Sequence, residues 1–284
     1  MNKIVISTDT NCSLTKQQAL DLGIYLLSMP IIIDGNQYFE HETISYQQFM
    51  DKLTSGSVVS TSQPSLAALQ LLWDEALKNN DYVIHIPMDS VLSGSYQSAV
   101  MLAKEYGGKV RVADVRRVSL PTFQAVLDCK KMIEKGLDVD EIMNRLNENS
   151  DNYDCYVALG ELEHLRKGGR ISATSAFVGN VLSIKPIIKF DCGALKTVGK
   201  VHGIIKGENY IIEQIKKLVQ TKYVDKKINY HIAYSCSEQE AVKFKEKACQ
   251  ILGLKDIMMA PLPASLACHI GPAARGIAVE EIIE

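Results

Sequence analysis

The sequence predicts an α/β protein of two domains, and three observations carry that prediction. The chain has 284 residues, about twice the length of a typical domain. Through its first half, short β-rich runs alternate with helical patterns, which is the order of a mostly parallel sheet with helices on both faces. A polar stretch at 147–152 then precedes a second α/β part whose predicted hairpin favours a mixed sheet. We therefore predict an N-terminal α/β domain at 1–152 and a C-terminal α/β domain at 153–284.

The predicted first domain begins with a strand at 3–8, followed by a helix that Ser13 caps and Gly23 ends. The β-rich run at 25–33 is predicted to be one strand. Pro64 lies where a helix prefers its first residue, so a further helix is expected to begin there. The other predicted elements of this domain are a helix from Ser45 to Gly56, a strand at 82–86, a helix opened by Ser93-Gly94-Ser95, a strand at 109–115, and helices near 121–135 and 139–148.

The predicted second domain begins with a strand at 153–160 and a short helix at 161–165. A dense apolar run at 176–188, with a helix expected around 177–182, is typical of a core and also of the lining of a cavity for an apolar ligand. The residues leave both interpretations open. The remaining predicted elements are a hairpin over 184–198 that turns at Cys192-Gly193, a helix at 207–222, a strand at 229–235, a helix at 238–252, and strand segments near 257–262 and 276–283.

Composition excludes several classes of protein. The formal net charge of -2 provides no general electrostatic footprint for nucleic acid. The first residues lack the charged, apolar and small-residue order of a signal peptide, and no apolar run has the length of a membrane span. The 7 cysteines are scattered and include no C-x-x-C pair, which is typical of reduced thiols and predicts a cytoplasmic protein.

Two clusters of hydroxyl side chains, Thr61-Ser62 and Ser93-Gly94-Ser95, each follow a predicted strand and precede a helix. In an open α/β sheet such turns meet at the carboxyl edge, where ligands usually bind. Free N–H groups of a first helical turn and neighbouring hydroxyls attract anions, so the two turns together favour an anion site. Plain helix capping uses the same residue types, and it stays open as the alternative.

Catalytic and metal sites find weaker support. Ser93 lacks the first glycine of the G-x-S-x-G frame of a serine hydrolase. Cys268 and His269 are neighbours on a segment predicted to be extended, so their side chains are expected to point to opposite faces. No pair of histidines has metal-ligand spacing, and neither a phosphate-binding P-loop nor a dinucleotide-binding glycine motif is present. We predict no metal and no cofactor.

The segment from Arg166 to Arg170 places three cations around two glycines. Two interpretations remain open for it. The segment can be a solvated turn, or it can be a mobile arm aimed at an anionic partner or ligand.

Five short segments follow one another in a fixed order along the chain: Thr61-Ser62-Gln63-Pro64-Ser65, Leu92-Ser93-Gly94-Ser95-Tyr96, Leu165-Arg166-Lys167-Gly168-Gly169-Arg170-Ile171-Ser172, Ile184-Lys185-Pro186-Ile187 and His269-Ile270-Gly271-Pro272. Together they resemble the DegV family of bacterial fatty-acid-binding proteins, and the resemblance runs the length of the chain. It implies two α/β domains with a long-chain fatty acid between them, the tail in an apolar tunnel. It also implies that Thr61 and Ser93 hold the carboxylate, with Ser62, Gly94, Ser95 and His269 nearby.

The resemblance implies a carrier without catalysis of its own. Some members of the family present the bound acid to a separate ATP-dependent fatty acid kinase, which phosphorylates the carboxyl group. Arg170 is then expected to contribute to the encounter with the kinase or to contact the phosphoryl group. The alternative from another class is a small-molecule hydrolase or transferase that uses Ser93 and His269 on an anionic substrate.

Three segments depart from the family pattern. Ala273 stands where a glycine is frequent, and His202 stands where an arginine is common. The segment 114–119 lacks the expected turn rich in serine and glycine. Ala273 is expected to restrict the backbone of its loop, and His202 is expected to remove any contact that the arginine makes.

Overall fold

The computed structural model describes residues 2–171, 184–191 and 194–283. Strands of the first half form two separate sheets, a four-stranded one in the order β2-β1-β6-β7 and a three-stranded one in the order β4-β3-β5. The first is parallel throughout, as predicted, and the second is antiparallel. The elements of this half are β1 (Ile4–Asp9), α1 (Lys16–Leu22), β2 (Tyr25–Leu27), β3 (Pro30–Ile33), β4 (Asn36–Phe39), α2 (Tyr46–Thr54), β5 (Val59–Thr61), α3 (Leu66–Leu77), β6 (Tyr82–Ile86), α4 (Ser95–Ala103), β7 (Val110–Val112), α5 (Leu120–Glu134) and α6 (Val139–Glu148).

The second half forms a mixed six-stranded sheet in the order β10-β9-β8-β13-β11-β12. In this sheet β11 pairs with β12 in parallel, and all the other neighbouring strands are antiparallel. This confirms the predicted mixed sheet. The elements are β8 (Tyr153–Ala158), α7 (Glu163–Lys167), β9 (Ile184–Asp191), β10 (Ala194–His202), α8 (Ile204–Thr221), β11 (Ile228–Tyr234), α9 (Glu238–Leu252), β12 (Met258–Pro261), α10 (Ala264–Ile270) and β13 (Arg275–Glu281). The domain boundary at residue 152 stays a prediction.

The predicted single strand at 25–33 is wrong, because the chain changes sheets within it. Residues up to Leu27 pair with β1, whereas Pro30 begins β3 and pairs with β4. Proline has no N–H to donate, so it suits the first position of a strand and interrupts a continuous ladder. The small antiparallel sheet that results carries Thr61 at the end of β5.

Two helices begin at a residue other than the predicted one. Thr15, not Ser13, caps α1, and its hydroxyl accepts a hydrogen bond from the N–H of Gln18. Ser65 caps α3, so Pro64 precedes the helix instead of occupying its first position. The predicted helix start at Ser45 and helix end at Gly23 are confirmed, because serine satisfies free N–H groups and glycine tolerates a left-handed end.

The largest difference from the prediction lies between β12 and β13. The segment expected to be extended around Cys268 and His269 is the helix α10. On a helix, neighbouring side chains diverge by about 100°, so the two still do not face one another. Cys268 is buried, and the burial raises its pKa to about 12. The predicted strand at 109–115 is also shorter than expected, since β7 ends at Val112.

The helix predicted around 177–182 and the turn predicted at Cys192-Gly193 lie outside the described residues. Among the residues that are described, no helix is both long and apolar enough to cross a membrane.

One hydrophobic cluster joins the two halves and positions α10. It packs the small sheet and α2 of the first half against the segment that contains α10, and its members include Ile31, Phe49, Met88, Leu262, Leu266 and Cys268. Burial of such apolar side chains contributes about 1.5–3 kcal/mol each. This packing brings α10 against β5 and therefore brings His269 to Thr61.

The departures from the family pattern have visible backbone consequences. Ala273 adopts a left-handed conformation with φ of 64°, which costs an L-residue with a Cβ roughly 1–2 kcal/mol relative to glycine. In the segment 114–119, Arg116 and Ser119 also have positive φ angles of 51° and 60°. His202 is exposed at the end of β10.

Candidate ligand-binding site

A cavity of about 180 Å³ brings most of the predicted site residues together, including those that the resemblance assigned to the carboxylate. The prediction that the two hydroxyl turns follow strands of one sheet is wrong. Thr61 ends β5 of the antiparallel sheet, whereas Ser93 follows β6 of the parallel sheet. The predicted site residues that line this cavity are Thr61, Ser62, Ser93, Gly94, Arg170 and His269.

His269 is bound to the first of these turns. Its Nε2 lies 2.8 Å from the Thr61 hydroxyl, so the two share a hydrogen bond across 208 positions of sequence. Burial, reinforced by the charge of Arg170, lowers the pKa of His269 to about 4. The imidazole is therefore neutral at pH 7, with one ring nitrogen able to donate and the other able to accept.

Two glycines permit the close approaches that shape the cavity. A Cβ on Gly168 would lie 2.3 Å from Nδ1 of His269, and a Cβ on Gly94 would lie 2.5 Å from Oε1 of Gln63. Both distances are far below van der Waals contact. Gly168 thus packs directly on the imidazole, and Gly94 lets the two hydroxyl turns meet.

Ser93 is tied to its own turn. Its hydroxyl lies 2.8 Å from that of Ser95 and accepts a hydrogen bond of 3.2 Å from the Ser95 N–H. Ser95 is buried beside the cavity and is not among the residues that line it. Ser95 therefore orients Ser93, and the Ser93 hydroxyl faces the cavity.

Two buried carboxylates hold the loop between β6 and Ser93. Oδ2 of Asp9, at the end of β1, accepts a hydrogen bond of 2.9 Å from the N–H of Met88. Oδ1 of Asp89 accepts hydrogen bonds of 2.9 Å from the N–H groups of Val91 and Leu92. Burial raises the pKa of each carboxyl group to about 6. These hydrogen bonds to backbone N–H groups fix the conformation of the loop, and the loop in turn positions Ser93.

Arg170 is half-buried and lines the cavity instead of extending into solvent. The chain turns back at Gly169, whose φ is 69°, and the N–H of Arg170 closes α7 on the Leu165 carbonyl at 3.1 Å. The guanidinium donates to the carbonyl oxygens of Gly168 at 2.5 Å and Leu92 at 3.4 Å. These contacts fit neither a solvated turn nor a free arm. The predicted contact of Arg170 with a partner stays a prediction.

Two further lining residues, Asn11 and Ser265, are absent from the predicted set. Asn11 is fully buried, and its Oδ1 accepts a hydrogen bond of 2.6 Å from the Ser265 hydroxyl. The Asn11 side chain partly opposes the rise in the pKa of Asp9 that burial causes. Its Nδ2 has no hydrogen-bond partner among the described residues. Asn11 follows β1 at the carboxyl edge of the parallel sheet, so the rule that singled out Ser93 also applies to it.

A second cavity, of about 70 Å³, adjoins the first and is apolar. It lies between the loop before α4 and one face of the six-stranded sheet, and its surface is contributed wholly by apolar atoms. The residues that line both cavities are Leu92, Leu195, Leu266 and Ile270. The two cavities are thus neighbours, one with hydroxyl, amide and guanidinium groups and the other lined by hydrocarbon.

In the part of the chain that the structure describes, no group of three or more histidine, cysteine or acidic side chains is arranged to hold a metal ion. The chemistry available at the polar cavity is hydrogen bonding to an anion and electrostatic attraction from Arg170.

The fold and the two cavities define a class: α/β proteins of two domains with a parallel sheet, a separate mixed sheet and an amphipathic ligand site. A family model described as "Uncharacterised protein, DegV family" matches residues 3–281. The chain belongs to the DegV family.

Relatives and solved structures agree with this assignment. A DegV domain-containing protein of Streptococcus pyogenes serotype M1 is 31% identical over 277 residues, which cover 96% of each chain. One of Caldanaerobacter subterraneus subsp. tengcongensis is 28% identical, over 99% of this chain and 100% of the relative.

Two solved structures of fatty-acid-binding DegV family proteins resemble the fold. The one from Thermus thermophilus has a TM-score of 0.89 at 26% identity, covering 98% of this chain and 99% of the other. The one from Streptococcus agalactiae has a TM-score of 0.88 at 27% identity, covering 99% of each chain.

Proposed function

We propose that this protein binds a long-chain fatty acid, with the carboxylate in the polar cavity and the tail in the apolar one. The observation that carries the proposal is the adjacency of the two cavities, which share the lining residues Leu92, Leu195, Leu266 and Ile270. A ligand that fits such a site has an anionic end and a hydrocarbon end. The fatty-acid-binding relatives from Thermus thermophilus and Streptococcus agalactiae support that choice.

The carboxylate is proposed to lie among the hydroxyls of Thr61 and Ser93, with the Asn11 amide and the Arg170 guanidinium as further donors. Each hydrogen bond to a charged group contributes about 1.5–3 kcal/mol. Much of that gain offsets the cost of removing the carboxylate from water. The polar end therefore sets the position of the ligand more than its affinity.

The tail is proposed to supply most of the affinity. Burying about 15 methylenes at ~0.8 kcal/mol each contributes ~12 kcal/mol, against association costs of ~4–15 kcal/mol. The two cavities are smaller than the roughly 300–1,000 Å³ usual for sites that hold drug-sized ligands. A long tail therefore requires apolar walls to separate as it enters, and part of the gain is spent on that change.

We further propose that the protein presents the bound carboxylate to a cytoplasmic, ATP-dependent fatty acid kinase. The family resemblance supports this role. Arg170 suits it, because a guanidinium beside the carboxylate can also pair with an incoming phosphoryl group. The chain itself then acts as a carrier and not as an enzyme.

The enzyme alternative needs a base beside Ser93. The hydrogen bond of His269 goes to Thr61 instead, at 2.8 Å, and its Nδ1 packs against Gly168. A pKa of about 4 also makes His269 a weak general base near pH 7, where the most effective bases have pKa values near 7. These features favour binding over hydrolysis at this site.

We expect the protein purified from a bacterial host to carry about one long-chain fatty acid per chain, because an apolar cavity in contact with water is costly. Organic extraction followed by mass spectrometry measures this directly. Folded protein that carries no lipid and takes up none of an added fatty acid would contradict the carrier proposal.

We also expect binding to be linked to protons through His269. In the lipid-free protein its pKa is about 4, and a bound carboxylate stabilises the imidazolium and raises that pKa. Between the two pKa values His269 holds more protons in the complex than in the free protein, so this residue takes up protons on binding there and takes up none well above both.

Calorimetry in two buffers of different ionisation enthalpy, about one pH unit above the lipid-free pKa, measures the net proton change, to which the ligand's own carboxyl group contributes because its pKa of roughly 4–5 lies in the same range. His269→Asn is the control for the ligand's contribution, and its uptake is expected to be smaller than that of the wild type. Equal uptake in that variant would mean that another group titrates with the ligand.

A further inference from the structure

We propose that the His231 ring forms the end wall of the tail site, backed by the buried charges of Glu280 and Arg117, and that this wall limits the length of the acyl chain. The inference rests on the proposed function and goes beyond it, because it assigns the residues that select the ligand. It is carried by strand register, burial and the apolar surface of the second cavity.

The register of the strands shows in which direction the apolar cavity, proposed to hold the tail, extends along the sheet. Directly opposed residues of antiparallel strands share a face, and so do alternate residues of one strand. On β13, Gly276 and Ala278 line the cavity. The next residue on that face is Glu280, about 6.5 Å further along the strand. Since α10 and its head-group residues precede β13, the cavity leads away from the carboxylate site and towards Glu280.

Residues that lie directly opposite one another on β8, β13 and β11 form rows across the sheet. The row at Ala278 contains the lining residues Cys155 and His231, which pair with it from either side. The next row contains Glu280 between Asn229 and Tyr153, and of these three only Tyr153 also lines the cavity. On β13 and β11 the face therefore changes from apolar to polar within one row.

The charges behind the wall are fully buried. Glu280 is 0% exposed, His231 2% and Arg117 1%. Nδ1 of His231 lies 2.5 Å from Oε1 of Glu280. The Arg117 guanidinium donates to the Asn149 carbonyl at 3.3 Å, and burial lowers its pKa while the negative charges of Glu280 and Asp128 oppose that lowering.

Asp128 belongs to a neighbouring set of hydrogen bonds. The Gln124 amide donates to Asp128 at 2.7 Å and accepts a hydrogen bond of 2.7 Å from Asn229, and the Ile283 N–H donates to Asp128 at 3.1 Å. Within the described residues neither carboxylate oxygen of Glu280 has a hydrogen-bond partner, so the ion-pair contact with His231 compensates its burial. Removing the partner of a buried charge costs roughly 3–5 kcal/mol, whereas a methylene gains only about 0.8 kcal/mol by burial. A hydrocarbon tail is therefore not expected to separate His231 from Glu280.

His231 conceals the charges from the tail. It lines the apolar cavity, yet no polar atom contributes to that cavity's surface. Its ring carbons therefore face the cavity, and its Nδ1 is turned towards Glu280. Among the described residues, the ring is the last apolar surface before Glu280 on the β11 side of the cavity, and Tyr153 lines the cavity on the β8 side.

The test is the chain-length profile of the full protein, loaded from an equimolar series of straight-chain saturated acids that differ by two carbons, with bound acids identified by mass spectrometry. His231→Ala removes a ring of about the volume of two or three methylenes, so the longest acid bound is expected to increase by about two carbons. Arg117 remains to balance Glu280 in this variant. Tyr230→Ala is the matched control, because Tyr230 lies on the same strand and packs on the opposite face. It is expected to leave the profile unchanged.

Ala278→Leu provides a second variant that fills the cavity just before the wall and is expected to shorten the preferred acid by about two carbons. If either variant folds and its longest bound acid has the same length as that of the wild type, the end-wall proposal is wrong. The proposal that the protein binds fatty acids would not be affected by that result. If the wild-type protein bound none of the acids, the proposed function itself would fail. Stronger binding of ω-hydroxy acids than of the unsubstituted acids would also overturn the proposal, since it would mean that the wall recognises a polar group.

Discussion

Replacing Thr61 and Ser93 together with alanine is expected to weaken fatty acid binding by about 2–4 kcal/mol, which corresponds to roughly 30- to 700-fold in dissociation constant. Both hydroxyls line the polar cavity, and the double variant removes two donors from the carboxylate. The tail contacts remain, so binding is weakened rather than abolished. Competition with a fluorescent fatty acid measures the change, and thermal unfolding checks that the fold is kept.

Ser60→Ala combined with Ser98→Ala is a matched control. Ser60 lies on β5 beside Thr61, and Ser98 lies on α4, close to Ser93 in sequence. Neither is among the residues that line the two cavities, so the control is expected to bind like the wild type. If the Thr61 and Ser93 double variant retained wild-type affinity, the carboxylate would have to lie elsewhere.

Replacing Arg170 with alanine is expected to lower acyl phosphate formation with the host's fatty acid kinase and ATP by roughly 10- to 100-fold. Loss of one charge-assisted contact costs about 1.5–3 kcal/mol, and the contact is expected to strengthen as negative charge develops on the phosphoryl group. Retention of fatty acid is expected to fall much less, because Thr61 and Ser93 remain. Reconstituted kinase turnover and the amount of bound lipid are measured on the same preparations.

Arg166→Ala is the control for the charge of this segment. Arg166 is exposed and pairs with Glu163, on the same helix, at 2.7 Å. Its removal is expected to leave turnover near wild type, and Arg170→Lys is expected to restore part of the lost activity. Unchanged turnover in Arg170→Ala would contradict a role in presentation. Complete loss of bound lipid would instead make Arg170 a principal ligand of the carboxylate.

Local signals in the sequence are sufficient for most of the secondary structure. The alternation of strands and helices predicts the parallel sheet, and the run at 238–252 predicts α9 with its observed bounds. Ser45 and Gly23 act as predicted, because capping depends on side chains within a few residues of the helix end. Such features depend on short stretches of chain, and a single sequence contains them.

The same signals fail where a short apolar run is compatible with more than one structure. The sequence predicts an extended segment where α10 forms, because seven residues are too few for periodicity to distinguish a helix from a strand. It also predicts one strand for the run at 25–33, although two different sheets compete for its halves. Packing against neighbouring elements decides both cases.

The site shows the same division. The residue types of the two hydroxyl turns favour an anion site from sequence alone, and the family resemblance adds His269 and Arg170. Their convergence depends on tertiary structure alone. The hydrogen bond between Thr61 and His269 spans 208 positions and exists because burial of apolar side chains packs α10 against β5. Arg170 could not be placed from sequence, since whether a cation among glycines faces solvent or a cavity depends on what packs against it. Side-chain chemistry is local and can be read along the chain, whereas a cavity is the space that remains between distant elements and is decided only when they pack.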